Sequence, residues 1–306
     1  MKVEFETEHS FGRINRASSA GYQVTGECHP LRRVLLCAPH HLEPVPCCSV
    51  TKESIRTGFR SDAARALDQH RALRTILADA GVAVELLPAK SGLPDLCFTR
   101  DIGVSTPFGL VALNPALDHR AAEVAHFKAW AEATSGSPIE QITAGKIEGG
   151  DVCVARPGLL IVGVSGKRTD AAGAEAFAAR FRREGWDVLL YHFDEHFLHL
   201  DTIFSMVRPD LALGCVEVLD DAFLEAIAHR GIRVLPVTYK EARQLGCNVV
   251  SIDGRRIIAG TATPRVTAMM EEAGLTVFAT DIGQFTACGG GVHCLTMPLQ
   301  RERLAA

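Results

Sequence analysis

Four short stretches of this sequence hold residues able to do chemistry: FTRD ending at Asp101, EGGD with Glu148 and Asp151, HLDT with His199 and Asp201, and GGGVHC ending at Cys294. A thiol is a nucleophile once it is deprotonated, a histidine moves protons near neutrality, and carboxylates hold cations. An unassisted thiol is only a few per cent thiolate at neutral pH, so the sulfur needs a cation or a protonated histidine beside it. Acids placed in a strand-rich interior are costly unless they are paired or bound to a cation. A planar guanidinium suits such a set, because its N–H groups can be gripped by carboxylates in pairs. Held in this way it is fixed and desolvated for attack on its carbon. Taken singly, each residue has an ordinary structural reading: a salt bridge of Asp101 with Arg100, a turn at Asp151, a core histidine, a buried thiol. The chemistry requires that they converge.

The elements that would bring them together repeat along the chain. The polar positions Asp101, Asp151, Asp201, Asn248 and Cys294 are spaced 50, 50, 47 and 46 residues apart. Each opens a segment that reads as a strand, a Gly- or Pro-containing turn, a second strand, an amphipathic helix and a short closing strand. In EGGDVCVARPGLLIVGVS, for example, the strands precede the helical DAAGAEAFAARFRREG and the strand WDVLLYHF. DAAR and TPRV look like helix starts, and glycines stand at helix ends. An earlier unit, RRVLLCAPH through VAVELLP, shares its closing with the tail HCLTMPL. Five ββαβ units imply an α/β, five-fold pseudosymmetric propeller with helices outside, each first strand carrying its polar residue towards a common axis. His199 and Asp201, two apart on such a strand, would face one side. Residues 1–306 then make a single catalytic domain.

Composition narrows the function classes. The chain has 306 residues, 47% hydrophobic and 22% charged, with a formal net charge of −4. No basic surplus recommends nucleic acid, and no Lys/Arg-rich run recommends a membrane surface. MKVEFETEHS lacks the charge and apolar pattern of a secretory signal, so a cytoplasmic location is expected. The ten cysteines lie mostly in apolar runs and read as reduced core thiols.

On these motifs, from LPDLCFTRD to HCLTMPL and in the same order, the chain resembles the guanidino-group modifying enzymes of the pentein fold. These are the arginine deiminases, dimethylarginine dimethylaminohydrolases and arginine amidinotransferases. The resemblance implies Cys294 as nucleophile, His199 as general acid and base, and Glu148 as the carboxylate pairing with the histidine and the guanidinium. It assigns Asp101 to the far guanidinium nitrogens and Asp201 to the remaining amine nitrogen. NPALDHR places Arg120, and VGVSGKRTDAAGAEAF places Arg168, where the family keeps arginines that bind the substrate carboxylate. Asp95 stands where deiminases carry an Asn and would contact the α-amine. SGKRT is one residue longer than the matching family segments, and the helical insertion of bacterial deiminases is absent.

An acidic residue at position 201 favours an unmethylated –NH2, so hydrolysis of arginine or a close derivative through an amidino-cysteine ranks first. Ornithine as product, by a dihydrolase, is also permitted. Dimethylarginine hydrolysis, favoured by overall size, and amidino transfer to an amine are the alternatives, with a non-catalytic pentein binding protein as a remote one. A metal site at His192, His196, His199 and Asp201 would want a helix, but this segment follows a strand. No metal or cofactor is therefore expected, and the partner is a small guanidino amino acid. Oligomeric state is open, and a homo-oligomer is allowed.

Overall fold

The computed structural model describes residues 21–302. In chain order its elements are β1 (Leu31–Cys37), α1 (Ser49–Arg56), α2 (Ala63–Asp79), β2 (Ala83–Leu87), β3 (Gly103–Thr106), β4 (Gly109–Ala112), α3 (Asp118–Ser135) and β5 (Glu140–Gln141). There follow β6 (Val152–Arg156), β7 (Leu159–Val164), α4 (Ala171–Arg183), β8 (Asp187–His192), β9 (Phe204–Arg208), β10 (Leu211–Cys215), α5 (Asp221–His229) and β11 (Arg233–Val237). The last are α6 (Tyr239–Ala242), β12 (Val250–Ser251), β13 (Arg256–Gly260), α7 (Pro264–Glu272), β14 (Thr276–Thr280), α8 (Gly283–Ala287) and β15 (Met297–Arg301).

These strands form five three-stranded sheets, ordered β15-β1-β2, β3-β4-β5, β6-β7-β8, β9-β10-β11 and β12-β13-β14. In every sheet the middle strand is antiparallel to the first and parallel to the third. The parallel step needs a crossover, which α2, α3, α4, α5 and α7 supply. This is the expected fivefold ββαβ propeller. The C-terminal strand β15 supplies the first strand of the N-terminal sheet, so the ring is closed by the tail.

Burial shows which strands face the axis. Strands β3, β4, β7 and β10 are buried along their whole length, whereas β2, β8, β11 and β14 have exposed positions. First strands of neighbouring sheets also touch, β15 with β3, β6 with β9, and β9 with β12. The helices cover the outside. On α4, for instance, Phe177 and Phe181 pack with Leu160 and Val162 of β7, each fully buried side chain of this size contributing about 1.5–3 kcal/mol. Asp62, Asp170 and Asp220 start α2, α4 and α5 by accepting from the backbone N–H three residues on. All ten cysteines are free thiols. No helix among the described residues is long and apolar enough to cross a membrane. The segment MKVEFETEHS, and the ends of the 1–306 domain, lie outside the described residues.

Candidate active site

The polar residues at the axis sit on 3-10 turns just before the first strands, not on the strands themselves. Turns Thr99–Ile102, Gly149–Asp151 and Leu200–Thr202 lead into β3, β6 and β9. Each is closed by a backbone bond three residues long: Asp101 N–H to Phe98 O at 3.4 Å, Asp151 N–H to Glu148 O at 3.1 Å, Thr202 N–H to His199 O at 3.1 Å. Thr296 N–H to His293 O at 3.1 Å makes the same turn before β15. By these bonds Glu148, His199 and His293 are equivalent positions. Asp201 therefore lies one place earlier in its turn than Asp101 and Asp151 do in theirs, although the residue count puts them in step. His199 and Asp201 lie on one tight turn, not on an alternating strand, and their side chains take different partners, Glu148 and His293. The glycines of EGGD permit the crowding: a Cβ on Gly150 would lie 2.6 Å from His199 Nδ1.

Cys294, His199, Asp101, Asp95, Arg120 and Arg168 line one narrow cavity of about 20 Å³, together with Cys47, Phe98, Leu198, Cys288, Gly289 and Gly290. His199 Nε2 is 2.7 Å from Glu148 Oε2, and its Nδ1 is 3.7 Å from Asp101 Oδ1. Glu148 also accepts from Ala116 N–H at 2.9 Å and from Arg168 Nη1 at 3.2 Å. The Cys294 sulfur lies 3.6 Å from Asp201 Oδ2 and accepts from Asn248 Nδ2 at 3.2 Å. Asn248 Oδ1 in turn accepts the backbone N–H groups of His293 and Cys294 at 3.0 and 3.3 Å. Three buried polar atoms in this group have no partner: Asp101 Oδ1, His199 Nδ1 and Asp201 Oδ1. A much larger surface groove of about 830 Å³, lined by Tyr191, Asp194, Glu217 and Tyr239 among others, holds none of these residues.

Charge is concentrated here in a dry environment. Burial disfavours the His199 cation, but the Asp101 charge, the Glu148 hydrogen bond and the Asp151 charge outweigh it and raise its pKa, leaving an imidazolium. Burial likewise opposes the Glu148 charge, and the hydrogen bond and charge of His199, with Arg168, overcome it and hold the carboxyl low. The two form an ion pair. The Cys294 thiol is pushed well above its ordinary value by burial first, then by the charges of Asp201 and Asp101.

Both arginines differ from a free carboxylate-binding guanidinium. Arg120 gives Nε to Glu123 at 2.8 Å, Nη1 to Asp101 at 2.6 Å, and Nη2 to the carbonyls of Asp95 and Phe98 at 3.2 and 3.0 Å. Four of its five donors are thus committed to the protein, and it braces Asp101. Arg168 has fewer ties, Nη1 to Glu148 and Nη2 to the Cys47 carbonyl at 2.9 Å. Asp95 reaches the cavity with one oxygen held 2.7 Å from His119 Nε2. Asp151 is spent, accepting from Leu200 N–H and from Thr169 Oγ1 at 2.8 and 2.6 Å. Among the described residues, donor atoms of Asp101, Glu148 and His199 lie within 4.8 Å of one another, the spacing of a metal site. Glu148 and His199, however, already neutralise each other. His192 and His196 are exposed, apart from buried His199.

The family model described as N,N dimethylarginine dimethylhydrolase, eukaryotic, matches residues 50–301. The chain belongs to this family. As a member of the dimethylhydrolase family it is a hydrolase of guanidino C–N bonds. It is 28% identical, over 89% of its length and 92% of the relative's, to the uncharacterized protein YkgA of Bacillus subtilis. It is 27% identical, over 87% of its length, to the bifunctional arginine dihydrolase/ornithine cyclodeaminase AgrE of a Nostoc species, of which it spans only 37%. The N-terminal domain of ArgZ, a cyanobacterial arginine dihydrolase solved with product, has the same fold: TM-score 0.76, 23% identity, 88% of this chain and 97% of that one.

Within this dimethylhydrolase framework, sequence reasoning passed over His293, His119 and Cys47, and gave Asn248 a recurring position but no role. One signal for His293 was present. The tail HCLT repeats the histidine and threonine of HLDT at the same spacing.

Proposed function

We propose that the chain hydrolyses the guanidinium group of arginine, or of a close derivative with an unmethylated terminal nitrogen, through an amidino-cysteine intermediate. The observation that carries this is that the two acids whose charges act on the Cys294 sulfur, Asp101 and Asp201, each keep one buried oxygen, Oδ1, without a partner. A planar cation with several N–H donors is the ligand that would satisfy such acceptors. Its arrival neutralises Asp101 and Asp201, two of the groups that keep the thiol protonated. The thiolate adds to the guanidinium carbon, protonated His199 gives its proton to the departing amine, and the carbon–nitrogen bond breaks. His199 then takes a proton from water as it attacks the thiouronium carbon and releases the sulfur. Glu148 holds the imidazolium throughout.

In this reading Asp95 takes the α-amine and Arg168, which has fewer protein partners than Arg120, takes the α-carboxylate, while Arg120 acts through Asp101. We read the chain as one catalytic domain, cytoplasmic, working on a small guanidino amino acid without nucleic acid or membrane, and requiring no cofactor. Hydrolysis of dimethylarginine is the second reading, favoured by the family model. Against it stands Asp201, whose free oxygen asks for an N–H that a dimethylated nitrogen lacks.

Incubation with arginine, methylated arginines and amine acceptors, with assays for ammonia, methylamines, citrulline and ornithine, separates these readings. In a His199→Gly variant given S-methyl-L-thiocitrulline, whose methanethiolate departs without a proton from His199, intact-mass spectrometry should find an adduct on Cys294. Cys294→Ser should lose turnover by about 1,000-fold or more with its fold unchanged, and retained activity would refute the assignment.

A further inference from the structure

We infer that His293 is a positioning residue that makes the site select a terminal –NH2 over a methylated nitrogen, acting through Asp201. This rests on the reading of the site as a guanidine hydrolase. His293 is the pseudosymmetric counterpart of His199. Thr296 returns both its N–H and its hydroxyl to His293 O at 3.1 Å, as Thr202 does to His199 O at 3.1 and 2.7 Å. Each ring is held by a carboxylate, His199 by Glu148 and His293 by Asp201, whose Oδ2 lies 2.8 Å from His293 Nδ1.

The ring is held from its other edge as well. Its Nε2 faces Glu27 Oε2 at 3.8 Å, and its backbone N–H is bound to Asn248 Oδ1. Glu27 is anchored in turn by Arg100 at 3.4 Å and lies 4.0 Å from Arg301. With Oδ2 taken by His293 and lying 3.6 Å from the Cys294 sulfur, the Asp201 carboxylate is locked, and its Oδ1 is left buried without a partner. A substrate N–H in that direction satisfies the oxygen. An N-methyl leaves it desolvated and unpaired, the situation in which polar sites discriminate most strongly. Freed from His293, the carboxylate can turn away, and the penalty against the methyl group goes with it.

The test is the ratio of kcat/KM for arginine to that for Nω-methylarginine, each followed by substrate consumption. His293→Leu removes the donor, whereas His293→Asn sets an amide N–H near the Nδ1 position. The leucine variant should lower the ratio by at least about tenfold, chiefly by losing arginine turnover, and asparagine should restore most of it. Should leucine fail to fold, His293→Gln, whose amide reaches past the Nδ1 position, provides the same contrast with asparagine. A ratio within about twofold of wild type, or equal loss with both substrates, would reduce His293 to a structural role and overturn the inference. Wild-type protein that consumes neither substrate would bring down the proposed function and this inference together. Arginine turnover with an unmoved ratio removes the inference alone.

Discussion

Cys294 is protonated when the cavity is free, because burial and two facing acids oppose its charge. A guanidinium between those acids reverses the balance, so ligand binding should expel the thiol proton. Binding of an unreactive alkylguanidine at pH 7.5 should therefore release up to about one proton in wild type and none in Cys294→Ser. Calorimetry in buffers of different ionisation enthalpy measures it, and equal release by both proteins would place the proton elsewhere. The grouping of Cys294, His199 and Asp101 at one cavity, with Glu148 paired to His199, was legible from the motifs of the sequence. The state of Arg120 was not. Glu123, three residues on in a helix, is a visible partner, but the Asp95 and Phe98 carbonyls that absorb its remaining donors are placed only by the fold.

At the scale of the element, the turns before the first strands set the geometry, and Asp151 ties two of them together. Its oxygens accept from Leu200, next to His199, and from Thr169. Burial raises its pKa from 3.8 to about 7, with His199 and these hydrogen bonds opposing. The folded-state value lies above the unfolded one, so its stabilising contribution is complete below pH 3.8 and is lost as pH rises through about 7. The shift corresponds to about 4 kcal/mol. Asp151→Asn keeps an acceptor for Leu200 and can donate to Thr169, without that titration. Urea unfolding should show wild type losing stability relative to the variant between pH 4 and 8, by up to about 4 kcal/mol. Parallel pH profiles would mean that Asp151 stays ionised in the fold. The units themselves were readable from alternation and helix periodicity, but the turns were not. Register within a turn depends on which backbone bond forms, and a 50-residue count cannot show that Asp201 sits one place earlier than Asp101 and Asp151.

At the scale of the molecule the ring closes through β15, the inner strand of a sheet whose other two strands come from the opposite end of the chain. The recurrence in the sequence announces this, since the first unit lacks an opening strand and the tail has one to spare. Met297 and Leu299 are fully buried on β15, and Arg301 bonds the carbonyls of His29 and Ser251 at 2.7 and 2.8 Å, bridging the first sheet to β12. A chain ended after Thr296 keeps every candidate catalytic residue but leaves β1 without its axial partner. Burial of Met297 and Leu299 alone contributes about 3–6 kcal/mol, comparable with the whole net stability of a typical domain. The Arg301 bonds and the β1–β15 ladder are lost as well. That chain should show no cooperative urea transition and no turnover, whereas Cys294→Ser at full length should melt like wild type. A cooperative transition in the shortened chain would mean that four complete sheets and an open fifth suffice to hold the acids around the sulfur.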